Sequence, residues 1–380
     1  MEINDGSSVT TFPLTTTTDT ITSMNSSAEF CSDQSIISLN NLETFIQSAT
    51  VFLLICTLLS SIFQIFIINV AWNLIKKGSG DKCLHIFLLS MTIADFLLTG
   101  IAYPIELGIR VLEIENVNKH IMIIMHGLCW VGMIISSISL VFMNLEKLVF
   151  FKLPLSYSLY FTQRRVVVIT IISWIGSILF VVFAWLTGLF SCVNDSCTTL
   201  GMFSTKIHVY IAFIIIVSII PTTTSLLVGI YIMKLVKNHT KQIAEEATLF
   251  NNITNYEGSN RSNSLNNSKC EHKSSSLVAT RLKTFYYVFI TSIFTALTLL
   301  PYRLINIERA INPSAHRTCL TILIYWILVY MVYCNSIFNP LITLTVLPQY
   351  RRKFLQFFCF CHYNSRSGEK FQIRSSIGDI

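Results

Sequence analysis

The sequence predicts an all-α protein, a bundle of seven transmembrane helices followed by a short amphipathic helix. Charged residues make up 12% of the 380 residues, about half of the ~25% found in soluble proteins, and hydrophobic residues make up 52%. The mean hydropathy is +0.61. Seven apolar stretches are each long enough to cross the ~30 Å hydrocarbon core. This composition excludes a soluble enzyme, a disordered protein and a disulfide-stapled secreted domain.

The seven stretches divide the chain. They run over 45–75, 84–109, 120–151, 165–190, 205–236, 284–307 and 318–347. Because backbone N–H and C=O groups find no water in hydrocarbon, each is predicted to be a helix, and none shows the alternation of a barrel strand. The predicted parts are a polar tail (1–43), the seven-helix domain (44–347), an amphipathic helix (348–361) and a second tail (362–380). One long loop, 236–279, has the Asn-, Ser- and Lys-rich composition typical of disorder.

The distribution of charge predicts the orientation in the membrane. No Lys or Arg precedes Lys76, whereas six acidic residues do. With the amino terminus outside, twenty-one of the 27 basic residues fall on the cytoplasmic side, which follows the positive-inside rule. We therefore expect a multi-pass plasma-membrane protein whose inner face meets anionic lipid and acidic partners. No loop interleaves basic and aromatic residues, so nucleic acid is not an expected partner.

Cysteines and sequons on the outer side predict covalent modifications. Four of the eleven cysteines fall there, and the tightest pairing joins Cys192 to Cys197, which leaves Cys31 with Cys319. Free thiols are the alternative. Asn25 and Asn194 lie in glycosylation sequons. Cys359 and Cys361 follow the last helix, where they are either palmitoylation sites or structural thiols.

Asp95 is the deepest acid of the predicted membrane spans, and no basic residue lies near it in sequence. A charge inside a bilayer is costly and points to function. Its candidate partners are polar residues of other spans: Asn69, Ser136, Asn335, Ser336 and Asn339. A carboxylate among amide and hydroxyl oxygens suits Na⁺ or a bound water network. The alternative is that these groups only hydrogen-bond the helices together.

These polar residues resemble the inner polar cluster of rhodopsin-like G-protein-coupled receptors, and the resemblance covers residues 45–361. It is carried by Asn69, Ala94-Asp95, Trp174, Pro221, Pro301-Tyr302, the run Asn335 to Pro340, and the run Gln349 to Phe354. The spacing after the third span is the most specific feature: Glu146-Lys147-Leu148 is followed by Pro154-Leu155 and Tyr157. The resemblance implies an allosteric sodium site at Asp95, Ser136, Asn335, Ser336 and Asn339.

The resemblance also implies an outer cavity for an extracellular ligand, lined by Glu106, His126, Cys129, Trp130, Met133, Tyr210, Phe213, Tyr302, Arg303, Asn306, Tyr325 and Tyr333. Cys129 stands where amine receptors place an Asp, which disfavours an amine ligand. A cavity with aromatic residues and charges of both signs suits a small peptide better, with a lipid as the alternative. Glu106 and Arg303 either hold opposite ends of a zwitterionic or amidated peptide, pair with each other, or snorkel to the interface. The aromatic residues form either a ligand cage or an interfacial belt.

At the inner end the resemblance implies a groove for a heterotrimeric G protein at Glu146, Lys147, Lys234, Arg281 and Lys283. Several positions depart from the family. Lys147 replaces the usual Arg and loses its planar fork of donors. Leu299, Thr343 and Gly229 replace a Trp and two Tyr residues, and Tyr231, about 200° further around the helix, is expected to face elsewhere. Met122 replaces the usual disulfide cysteine, which favours the bridge between Cys192 and Cys197.

Three classes of function remain. The first is a signalling receptor, and the second is a seven-helix binding or scavenging receptor that has lost G-protein exchange. The third, a transporter or channel, is disfavoured because Asp95 alone is ionic at mid-membrane depth. An enzyme is not predicted, since the sequence has no His-Glu-x-x-His motif and no phosphate-binding Gly loop. No cofactor is expected apart from allosteric Na⁺.

Overall fold

The structure confirms the seven-helix bundle. It is a computed structural model that describes residues 39–77, 81–112, 114, 117–153, 156–192, 195, 197, 200–202, 207–235, 237–238, 268–311 and 319–358. Seven of its helices are long and apolar enough to cross a membrane. We number them as the first to seventh spans. Following the orientation predicted from charge, the end that carries a β-hairpin is called the outer end, and the opposite end is called the inner end.

The spans have the following bounds. The first is Leu39–Lys77, the third Lys119–Lys152, the fourth Gln163–Leu186, the sixth Ser268–Ile311 and the seventh Cys319–Val346. The second runs from Lys82–Leu97 through a π-helical turn, Leu98–Ala102, into Tyr103–Val111. The fifth runs from Ile207–Ile214 through a π-helical turn, Ile215–Ile219, and continues to Leu235. Such turns are frequent at functional sites, and the first of these two borders the polar cluster described below.

Local sequence determines where several helices begin and end. Asn118 caps the third span by accepting a hydrogen bond from the His120 backbone N–H at 2.9 Å, and Thr162 caps the fourth in the same way. The fourth span ends at Leu186, four residues earlier than predicted, and Gly188 then adopts a φ of 69°. Only glycine takes this left-handed conformation without strain, so the chain leaves the helix there. A hairpin follows, in which β1 (Phe190–Cys192) pairs antiparallel with β2 (Leu200–Met202).

The spans close into a bundle around a buried core. The third span packs against the second, fourth and sixth, while the seventh packs against the first, second and sixth. The fourth span shows how one helix divides between core and lipid. Val166, Ser177, Val181 and Ala184 are buried, whereas Ile171, Ile172, Ile175 and Leu179 are exposed. Apolar side chains exposed along a helix are expected where the solvent is lipid.

A last helix, Pro348–Phe358, follows the seventh span. Arg351, Arg352 and Lys353 are exposed on it, while Tyr350 is fully buried. The Tyr350 hydroxyl lies 3.0 Å from Nδ1 of His85, in the second span. This contact holds the helix against the inner end of the bundle. The predicted amphipathic helix is therefore present, and residues 359–361, which end its predicted range, lie outside the described residues.

Several other predictions fall outside the described residues. They are the glycosylation sites at Asn25 and Asn194, the lipidation sites at Cys359 and Cys361, and the bridge of Cys31 to Cys319, of which only the Cys319 backbone is described. Most of the predicted loop 236–279 also lies outside them. The helix of the sixth span begins at Ser268, within the range predicted as loop.

A glycine allows the closest approach of the second and third spans. A Cβ atom on Gly132 would lie 2.9 Å from Cγ of Leu98 and 3.1 Å from the Ala94 carbonyl oxygen. The backbone oxygen cannot retreat without moving the helix. The absence of a side chain at this position therefore determines how closely the two spans pack.

We predict that Gly132→Ala destabilises the protein, because overpacking a tight helix contact costs about 1–3 kcal/mol. Thermal unfolding of the purified protein in detergent measures the effect as a lower Tm. The matched control is Gly176→Ala, since nothing lies within 4 Å of a Cβ atom at that helical glycine. Equal Tm values for the two variants would contradict this account of the contact.

Candidate functional site

Asp95 lies at the centre of a polar cluster that joins several spans. Its Oδ1 accepts hydrogen bonds from Oγ of Ser136 at 2.9 Å and Oγ of Ser336 at 3.3 Å, and its Oδ2 accepts one from Nδ2 of Asn339 at 2.7 Å. The side chain is 1% exposed. Among the described residues no cation pairs with it. A buried carboxylate is thus held by three neutral donors from the third and seventh spans.

Asn335 lies beside this cluster and does not bond the carboxylate. Its Oδ1 accepts a hydrogen bond from Oγ1 of Thr298, in the sixth span, at 3.3 Å. It lines a cavity of about 20 Å³ together with Ser136 and Ser336. Four of the five residues predicted for a sodium site therefore meet at Asp95, and the fifth borders the same cavity.

Gln64 is the polar residue that the first span contributes, in place of the predicted Asn69. Asn69 is exposed on the outside of the bundle, whereas Gln64 is fully buried. Nε2 of Gln64 donates to the Ser336 carbonyl oxygen at 3.1 Å, and its Oε1 accepts from Oγ1 of Thr99 at 2.6 Å. The expectation for Asn69 was wrong. The signal that identifies Gln64 is an amide in the middle of an otherwise apolar span.

Of the residues predicted to line an outer cavity, Met133 and Arg303 border the cavity of about 20 Å³, and all twelve lie in the interior of the bundle. Met133 is half-buried, and the others are buried: Glu106, His126, Cys129, Trp130, Tyr210, Phe213, Tyr302, Arg303, Asn306, Tyr325 and Tyr333. The alternative of an interfacial aromatic belt is therefore wrong for these residues, because their rings lie inside the bundle. Trp130, for example, packs against Phe190 of the hairpin and Phe213 of the fifth span, with centroids 5.6 Å and 5.2 Å away.

Glu106 and Arg303 do not pair with each other, contrary to one of the predicted alternatives. Glu106 forms a salt bridge of 2.9 Å with Arg110, one helical turn later, and accepts a hydrogen bond from the hydroxyl of Tyr333. The Arg110 guanidinium also lies 5.2 Å from the ring centroid of Trp326. The predicted second stretch, 84–109, ends one residue before Arg110, whereas the helix of the structure extends to Val111. The i,i+4 spacing of Arg110 from Glu106 was the signal that predicts this pair.

Arg303 has an apolar and aromatic environment. Its side chain is 3% exposed, so it does not snorkel to the interface. Its NH2 group contacts the Met133 sulfur at 3.5 Å, and its guanidinium lies 5.8 Å from the Trp130 centroid and 5.4 Å from the Tyr302 centroid. No carboxylate pairs with it among the described residues. The cavity beside Asp95 extends to this side chain.

The outer hairpin is tied to the third span. The predicted bridge between Cys192 and Cys197 is present, with a Cα–Cα distance of 4.7 Å. Nε2 of His126 lies 2.9 Å from the carbonyl oxygen of Cys197, which can only accept, so the imidazole donates. Met122, which replaces the usual disulfide cysteine, is buried in the apolar cluster at the outer end of the bundle. The short bridge and the histidine together tie the loop to the third span.

An ionic cluster occupies the inner end. The ammonium group of Lys147 lies 2.8 Å from Oε2 of Glu146 and 2.7 Å from Oδ2 of Asp81, at the start of the second span. Lys147 is 1% exposed and Glu146 is fully buried. Asp81 was not foreseen, because the sequence assigned it to a loop. Two carboxylates therefore enclose the lysine that replaces the expected Arg.

Tyr157, in the short helix Tyr157–Tyr160, closes this cluster. Its hydroxyl donates to Oε1 of Glu146 at 2.6 Å and lies 3.4 Å from Oδ1 of Asp81. Burial raises the pKa of Tyr157, and the nearby Glu146 and Asp81 carboxylates raise it further. The phenol therefore stays protonated and acts as a donor at neutral pH. The tyrosine predicted from the spacing after the third span thus contacts the acidic partner of Lys147.

Comparison with known proteins identifies the family. The sequence profile of the 7 transmembrane receptor (rhodopsin family) matches residues 68–342, more than half of the chain. The protein belongs to the rhodopsin family of seven-transmembrane receptors. A curated relative, the G-protein coupled receptor aex-2 of Caenorhabditis elegans, is 23% identical over 323 residues, which span 83% of this chain and 85% of the relative. The protein is therefore a multi-pass membrane receptor, and its family is a class of receptors rather than of enzymes.

This receptor replaces much of the family's inner relay with its own contacts. Gly229 stands where a Tyr was expected, and a Cβ atom there would lie 3.0 Å from Cδ2 of Phe289. Tyr231 is exposed, which confirms that it faces away from the bundle. Thr343 also replaces a Tyr, and its Oγ1 lies 3.1 Å from the hydroxyl of Tyr287, in the sixth span. A tyrosine hydroxyl therefore lies beside this position of the seventh span, but the tyrosine belongs to the sixth span.

Asn144 joins three spans next to the ionic cluster. Its Nδ2 donates to Oγ of Ser225 in the fifth span at 2.6 Å and to Oγ of Ser292 in the sixth at 2.8 Å. These bonds hold the inner ends of the fifth and sixth spans against the third. Of the predicted G-protein contacts, Lys234 is exposed at the inner end, and the side chains of Arg281 and Lys283 lie outside the described residues.

We predict that Lys147→Met strongly destabilises the receptor, because it leaves two buried carboxylates without their cation. Breaking a buried ion pair in this way costs about 3–5 kcal/mol. Thermal unfolding in detergent measures the loss as a lower Tm. Adding Asp81→Asn to Lys147→Met is expected to recover part of the stability. Lys152→Met, at an exposed site of the same helix, is the control, and a similar fall in both single variants would contradict the role of the cluster.

Proposed function

We propose that this protein is a receptor that binds an extracellular ligand, a small peptide, in its outer cavity and signals through a heterotrimeric G protein at its inner face. The observation that carries the proposal is the burial of Lys147 between Asp81 and Glu146 at the inner end. A buried ion cluster contributes little net stability. Its proposed role is to switch between a closed state, in which it is formed, and an open state, in which it is broken. In the closed state described here, the lysine cannot reach a partner.

The bonds of Asn144 suggest how the closed state is maintained. They join the third span to the fifth and sixth immediately beside the ionic cluster. For a groove to open, Nδ2 of Asn144 must release Ser225 and Ser292, and Lys147 must leave its carboxylates. Water and the G protein would then replace these contacts. Ligand binding between the third and sixth spans at the outer end would bias that equilibrium, because the same two spans carry Asn144 and Ser292 at the inner end.

The outer cavity supports a peptide over an amine. Cys129 is buried at the position where an amine receptor would carry its acid. Glu106, the acidic lining residue, is already neutralised by Arg110. The buried residues predicted to line the site instead offer aromatic rings and amide and guanidinium donors, which suit the side chains and carbonyl groups of a peptide.

A second function, binding without G-protein exchange, is favoured by the substituted relay. Lys147 lacks the planar fork of the expected Arg. Leu299, Thr343 and Gly229 stand where the family carries larger aromatic residues. A receptor of this kind would take up or present its ligand while the inner cluster stays closed.

We predict that Lys147→Arg raises basal or evoked signalling in cells that carry a promiscuous G-protein reporter, since it restores the donor fork. Asp81→Asn should raise basal signalling too, because Lys147 is then held by one carboxylate instead of two. A rise of several-fold over the wild type is expected, with Lys152→Arg as the control at equal surface expression. A silent reporter in all variants would favour the binding receptor.

Na⁺ at Asp95 is a further part of this proposal. The residues fit the ion: the carboxylate has no cation partner among the described residues, and Oδ1 of Asn339, which is buried beside it, has no hydrogen-bond partner. The adjacent cavity of about 20 Å³ has room for about one water-sized occupant. Asp95, Ser136, Ser336 and Asn339 would hold the ion, which would supply the missing positive charge.

We predict that Na⁺ raises the Tm of the purified receptor, because an ion that binds only the folded state stabilises it by mass action. Replacing K⁺ or N-methylglucamine by Na⁺ at constant ionic strength isolates the effect from general screening. In Asp95→Asn the Na⁺-specific shift is expected to disappear. A shift of the same size in wild type and variant would place the ion elsewhere or exclude it.

A further inference from the structure

Two buried hydrogen-bond donors in the sixth span lack acceptors. Arg303 is 3% exposed and Asn306 is 8% exposed, and neither Nε of Arg303 nor Nδ2 of Asn306 has a hydrogen-bond partner in the described part of the chain. Residues three apart share one face of a helix, so both donors lie on the same side of the sixth span. Burying a donor without an acceptor costs free energy. Both groups here are donors, so both would be satisfied by an acceptor.

The immediate contacts of Arg303 compensate its charge only in part. They are the sulfur of Met133 and the rings of Trp130 and Tyr302. Cation–π contacts offset only part of the free energy that burying a charge costs. The nearest candidate acid in the predicted lining, Glu106, is bound to Arg110 and Tyr333. An ionisable residue left in this state inside a membrane bundle marks a functional site.

We propose that the outer cavity binds its ligand through a carboxylate that docks on Arg303, with Asn306 as a second donor. For the peptide receptor proposed above, on which this inference rests, the group is a free C-terminal carboxylate. A guanidinium presents a planar fork of donors that matches the two oxygens of a carboxylate. Trp130 and Tyr302 then pack against the apolar group next to it.

A small cavity already reaches Arg303. Arg303 lines the cavity together with Met133 and Leu299. The present volume admits about one water-sized group, and a carboxylate with its first carbons needs additional room. Met133 is half-buried and unbranched, so it can move aside at low cost. The ligand would therefore exchange a methionine–guanidinium contact for a charge-assisted pair.

The first test needs no ligand. A residue retained for binding a ligand destabilises the ligand-free receptor, whereas a structural residue does not. Arg303→Met, which keeps the length of the side chain without its charge, should raise the Tm of the purified, ligand-free receptor by about 2 °C or more. Arg164→Met, at an exposed arginine of the fourth span, is the control and should leave the Tm unchanged. A fall in the Tm of Arg303→Met would give Arg303 a structural role and overturn the proposal.

The second test uses 3-phenylpropionate, which carries an aromatic ring and a carboxylate, and its neutral partner 3-phenylpropionamide. The acid should raise the Tm of the wild type and of Arg164→Met in a concentration-dependent way, while the amide should have no effect. The shift should be lost in Arg303→Met. Equal effects of acid and amide, persistence of the acid effect in Arg303→Met, or no effect of the acid on the wild type would each overturn the proposal.

A reporter assay separates this inference from the proposed function. A pool of short peptides is applied in two forms, as free acids and as C-terminal amides, and octanoate represents a lipid carboxylate. A response to the free acids alone, lost in Arg303→Gln, supports both proposals. Equal responses to both forms would overturn the proposal that a carboxylate binds Arg303 and would support the proposal of a peptide ligand. A response to octanoate alone, lost in Arg303→Gln, keeps the carboxylate and overturns the peptide.

Discussion

The hydrogen bonding of the Asp95 carboxylate is the constraint on which the middle of the bundle depends. The membrane interior offers no water to this group, so the protein must supply donors. Ser136 brings the third span to it, and Ser336 and Asn339 bring the seventh. Gln64 then joins the first span to the seventh through the Ser336 carbonyl. Four spans meet at one level because one acid has to be satisfied.

The buried charges of this receptor fall into two groups. Glu106 with Arg110, and Lys147 with Asp81 and Glu146, have partners within the chain. Asp95 and Arg303 have no counter-ion among the described residues. Arg303 lines the small cavity, and so do Ser136 and Ser336, which bond Asp95. The paired groups hold the outer and inner ends closed. The unpaired groups have opposite signs, which is the basis for proposing a cation for the first and an anion for the second.

Much of the fold and part of the site could be predicted from the sequence. The seven spans follow from hydropathy, and the bridge between Cys192 and Cys197 follows from a separation of five residues in one loop. Asp95, Ser136 and Asn339 were identified because polar residues are rare in such spans. The expectation for Asn69 was wrong because hydropathy does not determine which face of a helix points inward. Asp81 was missed because its partner, Lys147, is 66 residues away in sequence.

The sequence by itself therefore determined which segments cross the membrane and which polar residues need partners. These properties depend on the composition of single helices, which the chain carries locally. The tertiary structure alone decided how those needs are met: Glu106 by Arg110 and Lys147 by Asp81, while Arg303 meets no carboxylate in the part of the chain that the structure describes. The rotation and depth of each helix determine which side chains come within hydrogen-bonding distance. Those quantities are settled only when all seven helices pack together.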